Sequence, residues 1–129
     1  MEIGKKASIF IDATDELVQT IAKVSGDINP VHLNDDYAKD TIFGKRIAHG
    51  LLCINGISRV LGTILPGKGT ILLSQKFEYM HPVYIGDRVE VTVIVKDVKP
   101  EKNIYVLDNI CTNQEGKVVL KGESVVKWG

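Results

Sequence analysis

The chain has 129 residues, 44% of them hydrophobic and 25% charged, and its 16 basic and 16 acidic side chains cancel. A chain of this length buries roughly two-thirds of the surface that its unfolded form exposes, so residues 1–129 are expected to fold as a single domain around one core. Balanced charge without a long run of one sign excludes nucleic acid and an anionic membrane as main partners, and leaves no electrostatic bar to self-association.

Cys53 and Cys111 stand in apolar segments without CxxC spacing and read as core thiols of a reducing compartment. The N-terminus, MEIGKKASIF, has only a short apolar run after its lysines, and no stretch has the length of a membrane span. The expectation is a cytoplasmic protein without an export signal.

In chain order, an opening strand is expected at about Ala7 to Ile11. Thr14 then caps a helix whose first turn carries Asp15 and Glu16, acids suited to the positive end of a helix dipole. Leu17, Val18, Ile21, Ala22 and Val24 share one side of it, and Ser25-Gly26 ends it. The loop GDINPVH precedes a short helix capped by Asn34 and running through Tyr37, Ala38 and Lys39.

The longest helix is expected from Leu51 to about Leu65. Ile54, Ile57, Val60, Leu61, Ile64 and Leu65 form its apolar arc with Cys53, and Asn55, Gly56, Arg59 and Thr63 form the other side. Near residue 70 the period becomes that of strands. Thr70–Tyr79, Arg88–Val98, Asn103–Thr112 and Lys117–Lys127 are rich in β-branched residues, with Gly86-Asp87, Pro100-Glu101-Lys102 and Gln114-Glu115-Gly116 as hairpin turns. Helices followed by a strand meander give an α+β domain whose antiparallel sheet wraps the long helix.

Asp27 and His32 are the most informative polar pair. Gly26 and Pro30 restrict the loop between them, so a carboxylate and an imidazole can share one small volume, a pair suited to acid–base work on water. The plainer reading has Asp27 capping its own loop and His32 merely flanking a helix. His49-Gly50 precedes the long helix, where free amides and a missing side chain suit an oxyanion hole or a plain helix start. Ser58 falls at the edge of the apolar arc, so its hydroxyl either bonds back to Ile54 or reaches Asp27.

His81, before Pro82, reads as a structural turn residue. Asp27, His32, His49 and Asp35 or Asp36 lack metal-binding spacing, so no metal is expected. Neither thiol has an activating basic neighbour, and LPGKGT lacks a phosphate-binding frame.

The segment Ala22-Lys23-Val24-Ser25-Gly26-Asp27-Ile28-Asn29-Pro30-Val31-His32, with Ala38 further on, resembles the hydratase signature of the MaoC-like hot-dog proteins, in particular the short (R)-specific enoyl-CoA hydratases. The likeness continues through Ile47-Ala48-His49-Gly50-Leu51-Leu52 and Pro82-Val83-Tyr84-Ile85-Gly86-Asp87-Arg88-Val89, most of the chain. The resemblance implies a hot-dog fold and a homodimer, or a dimer-based higher oligomer, joined sheet edge to sheet edge with substrate at the interface.

It also implies Asp27 and His32 as catalytic residues, the Gly50 amide as oxyanion donor, Ser58 as a support and Asn29 as shaper of the loop. The implied reaction adds water to a trans-2-enoyl-CoA to give an (R)-3-hydroxyacyl-CoA. No cofactor enters, CoA being part of the substrate. Two other readings stay open: an acyl-CoA thioesterase, and a non-catalytic acyl-thioester binding subunit, against which the acid–base pair weighs. Leu65, Leu73 and Phe77 are candidates for closing an acyl tunnel. Lys45, Arg46 and Lys68 are candidates for meeting CoA phosphates, with solvated charge as the plainer reading.

Overall fold

The computed structural model describes residues 1–129. Strand β1 (Lys6–Asp12) leads into α1 (Asp15–Ser25), where Thr14 caps the start by accepting from the Leu17 amide at 3.1 Å and Gly26 closes the end at φ 77°. Two single turns follow, α2 (Pro30–Leu33) and α3 (Asp35–Ala38), capped by Asn29 and Asn34. The residue pattern treats α2 as loop, because a four-residue turn is too short to register a period. Proline in its first turn and the asparagine cap are what fix it.

Helix α4 (Leu51–Thr63) stops just short of the expected end. Strands β2 (Ile71–Tyr79), β3 (Arg88–Lys99), β4 (Ile104–Thr112) and β5 (Val118–Lys127) complete the chain, with a 3-10 turn at Pro100–Lys102. All five strands form one antiparallel sheet in the order β1-β3-β4-β5-β2, curved around α4 in the α+β hot-dog arrangement.

The turns at Pro100–Lys102 and Gln114–Gly116 make hairpins as expected, but Gly86-Asp87 does not. Strand β2 pairs with β5, where Phe77 faces Gly122, and β3 pairs with β1, where Ile9 faces Val91. Residues 80–87 therefore cross from the β2 edge of the sheet to β3, one strand in from the opposite edge. Pro82 offers no amide to a ladder, and the amides around it bond elsewhere: Met80 donates to the Val119 carbonyl at 2.9 Å and Gly86 to the Ala13 carbonyl at 2.8 Å.

Val89, Val91, Val93 and Val95 all point inward from β3, each at most 1% exposed, and meet Leu52, Ile57, Val60 and Leu61 of α4 in one core. The wheel of α4 is rotated from its expected setting. Gly56 faces the core, where a β-carbon would lie 2.5 Å from Ile11 Cδ1 and 2.8 Å from Val91 Cγ2, so glycine lets helix and sheet approach closely. Ile64 is instead 48% exposed. No helix is long and apolar enough to cross a membrane.

Candidate active site

Gly26 turns the chain out of α1, and side chains then organise the loop. The Asp27 amide donates to Ser25 Oγ at 3.0 Å, the Asn29 amide to Asp27 Oδ1 at 3.1 Å, and the Val31 amide to Asn29 Oδ1 at 3.3 Å. Asp27 thus does cap its own loop, but with one carboxylate oxygen only. The other, Oδ2, faces His32 Nε2 at 3.8 Å. The loop cap and the facing of carboxylate and imidazole are therefore present together.

His32 sits on α2 and is 8% exposed. Its Nδ1 lies 2.8 Å from the Ile47 carbonyl, which can only accept, so Nδ1 carries the proton and the Nε2 lone pair turns toward Asp27. The next turn of the backbone is anchored as well, because Arg46 Nε donates to the His32 carbonyl at 2.8 Å. Arg46 also pairs with Asp15, and its hydrogen bond holds the Asp15 carboxyl below the usual carboxylate range, helped by one from Gln19. The guanidinium thus ties α1 to the turn that carries His32. Lys45 lies over the Tyr84 ring at 4.7 Å, and the Lys68 carbonyl accepts from Trp128 Nε1 at 3.0 Å.

His49 is a functional candidate that the spacing did not single out beyond its place before Gly50. It is 2% exposed, stacks on His32 with ring centres 3.9 Å apart, and donates through Nε2 to the Asp27 carbonyl at 2.9 Å. Its Nδ1 is buried without a partner. One imidazole therefore grips both the loop that carries Asp27 and the face of His32. The donor atoms of Asp27, His32 and His49 lie within 4.8 Å of one another, close enough to suggest a metal. Rings tilted by only 26° in a stack direct their lone pairs side by side rather than onto one point, a poor fit to tetrahedral ligation.

His32, His49 and Gly50 open on a cavity of about 350 Å³, walled by Phe43, Ile47, Cys53, Tyr79, Val83 and Val119. A larger hollow on the outer face of the sheet is lined by Lys76, Glu78, Asp108, Lys121 and Glu123 and holds none of the site groups. Gly50 precedes the first turn of α4, and its amide finds no acceptor in the chain. His81, expected to be structural, lies at the same cavity wall.

Cys53 and Cys111 are both buried, as expected, yet they also lie close enough for each to act on the other, which lowers the Cys53 thiol and raises that of Cys111. Nothing in their spacing announces that proximity. Ser58 is exposed and does not reach Asp27 within the chain, because the rotation that buries Gly56 turns Ser58 outward with Leu51. Leu65 is buried in the core, while Leu73 is 50% exposed on the sheet edge and Phe77 half-buried, and none of the three lines this cavity.

Residues 5–114 match the family described as MaoC like domain. An (R)-specific enoyl-CoA hydratase of Rhodospirillum rubrum is 44% identical over 95% of this chain and 85% of its own length. A 3-hydroxybutyryl-CoA dehydratase of Methylorubrum extorquens is 42% identical over 98% of this chain and 80% of its own. Among solved structures, the (R)-hydratase from A. caviae involved in PHA biosynthesis superposes with a TM-score of 0.97 at 36% identity, covering 100% of this chain and 98% of that one. With its signature loop, its wrapped helix and these relatives, the chain belongs to the MaoC-like domain family.

Proposed function

We propose that this chain is an (R)-specific enoyl-CoA hydratase, a hydro-lyase that adds water reversibly to trans-2-enoyl-CoA and gives (R)-3-hydroxyacyl-CoA. The observation that carries the reading is the 3.8 Å gap between Asp27 Oδ2 and His32 Nε2, two acceptors left free by the bonds that hold their partner atoms. A water at ordinary hydrogen-bond distance from both can give one proton to each, which aims its oxygen lone pair outward into the cavity.

That oxygen bonds to C3 of the enoyl thioester as its proton passes to the acid–base pair. The pair then returns a proton to C2 on the same face. Charge that builds on the thioester oxygen meets the free Gly50 amide at the positive end of α4. Asn29 shapes the loop through its cap. No metal or other cofactor takes part, since the step moves protons only and CoA arrives with the substrate.

The working unit is a homodimer or a dimer-based oligomer. Support comes from β2, an edge strand that carries Ile71, Leu72, Leu73 and Tyr79 at 50–59% exposure, an apolar edge that isolated sheets avoid. Ser58, turned outward, is then a support across the interface rather than within one chain.

Loss of the enoyl absorbance of crotonyl-CoA, with chiral analysis of the product, tests the activity. An (S) product, or none, overturns it. Release of free thiol from acyl-CoA in place of hydration would mark a thioesterase, and binding without turnover an acyl-thioester binding subunit. Sedimentation should return at least twice the chain mass.

A further inference from the structure

The space beside Gly50 is not empty. A β-carbon there would lie 2.5 Å from Cε1 of Tyr79 and 2.7 Å from its Cζ and Oη. The phenol therefore overlies the residue whose amide is free, at the wall of the cavity that also holds His32. The other tyrosine near this loop, Tyr84, spends its hydroxyl on the Phe43 carbonyl at 3.0 Å, whereas the Tyr79 hydroxyl has no acceptor in the chain. Two unspent donors, one N–H and one O–H, stand next to each other at the wall of this cavity.

We propose that the Tyr79 hydroxyl is a second donor to the thioester oxygen, acting beside the Gly50 amide. The inference rests on the hydratase reading above, in which attack at C3 puts negative charge on that oxygen. An enolate oxygen has lone pairs for two donors, and a hydrogen bond to a charged oxygen is roughly twice as strong as one to a neutral carbonyl. A donor placed in advance is therefore worth more in the transition state than in the bound substrate. Burial, and after it the neighbouring Cys53, raises the Tyr79 phenol above its ordinary value, so it keeps the proton that it must donate.

The local fold explains how the group arrives. Phe77 and Tyr79 share the inner face of β2 by strand alternation, opposite Gly122 and Leu120 of β5. Strand β2 ends at Tyr79, and the chain bends away through Met80 and His81, which leaves the ring free to lean on Gly50. Glycine at 50 and tyrosine at 79 are complementary in shape: any β-carbon at 50 would displace the ring. Were Tyr79 only an apolar lid, its oxygen would be dispensable.

Tyr79→Phe keeps the ring and removes that oxygen. With crotonyl-CoA, kcat should fall about ten- to a hundredfold while KM moves less than about threefold and Tm holds. Butyryl-CoA with a ¹³C thioester carbonyl cannot be hydrated, and reports the same contact by infrared difference spectroscopy. Its carbonyl band should move to lower wavenumber on binding the parent protein, and Tyr79→Phe should lose part of that shift.

A variant with kcat within about twofold of the parent and an unmoved band overturns the proposal. So does a fall in kcat with an unmoved band, which would trace the loss to the ring rather than the hydroxyl. A parent protein that neither hydrates crotonyl-CoA nor binds butyryl-CoA overturns the hydratase reading first, and this proposal with it.

Discussion

Strands β3 to β5 and the segment from Gly26 to Gly50 are held by different forces. In the strands, order comes from repetition: Val89, Val91, Val93 and Val95 on one strand share the core face with Leu107, Cys111, Leu120 and Val126 on the next two, over long antiparallel ladders each interrupted by one register shift. In the segment, order hangs on single bonds from named side chains to named backbone atoms: Asp27 Oδ1, Asn29 Oδ1, His32 Nδ1, Arg46 Nε and His49 Nε2. Burial has no direction, so losing a methylene from the sheet costs stability and leaves every atom aimed much as before. A hydrogen bond has direction and a small net worth, so losing one in the segment turns an atom without unfolding the protein. Substitutions in the two regions should therefore register in different assays.

The largest effect sharpens that contrast. Asp27→Asn or His32→Gln should lower hydration of crotonyl-CoA at least about a hundredfold while the thermal midpoint stays within a few degrees. Asparagine still offers Oδ1 to the Asn29 amide, so the loop survives and only the water's second acceptor is lost. Near-normal turnover in either folded variant would remove both residues from the chemistry. His49→Phe comes next: it keeps an aromatic face against His32 but drops the bond to the Asp27 carbonyl, and turnover should fall about tenfold. Stability should hold or rise, because the change also removes the unpartnered buried Nδ1, whose desolvation costs about 1–3 kcal/mol. Turnover and thermal midpoint falling together would show that His49 is scaffold like the sheet.

The two regions also differ in how far they can be read from the residues. The strands of the second half and both long helices declare themselves by period, and their observed ends lie within two residues of expectation. What periodicity misses is pairing: β2 has the same pattern whether it neighbours β3 or β5, and the crossing is decided by where the amides around Pro82 find acceptors. The facing of α4 is missed for a related reason. A hydrophobicity wheel scores Gly56 as neutral, although its lack of a side chain is what the close contact with Ile11 and Val91 requires.

In the segment, Asp27, His32 and Gly50 are legible through the family resemblance; the fold brings Asp27 against His32, and His32 and Gly50 to one cavity wall. His49 is not. Its stack and its bond to the Asp27 carbonyl join residues far apart in the chain, and no local spacing encodes that. Ser58 marks the opposite limit, since the residue is exposed in its own chain.

Ile57→Val tests the scaffold side. Ile57 is fully buried on α4, so removing one methylene should cost about 1 kcal/mol, seen as a lower urea midpoint, with kcat unchanged. A matching loss of kcat would mean that the packing of α4 also sets the aim of Gly50 and that the regions are not separable.

The smallest effect sits where the regions meet. Arg46 reaches from the segment to Asp15 on α1 and, through Nε, to the His32 carbonyl. The folded protein holds the Asp15 carboxyl below its unfolded value of about 3.9, so the pair stabilises the fold above that pH and is lost as pH falls through the lowered folded value. Asp15→Asn lacks the contribution at every pH. Urea midpoints of parent and variant should therefore differ slightly at pH 6 and converge on acidification, with the pH 6 gap narrowing in high salt because the carboxylate is exposed. Activity at pH 6 should be unchanged, since the Nε bond to His32 does not pass through Asp15. If turnover drops, the guanidinium needs its partner on α1 to keep its aim, and part of the catalytic geometry is then borne by the scaffold.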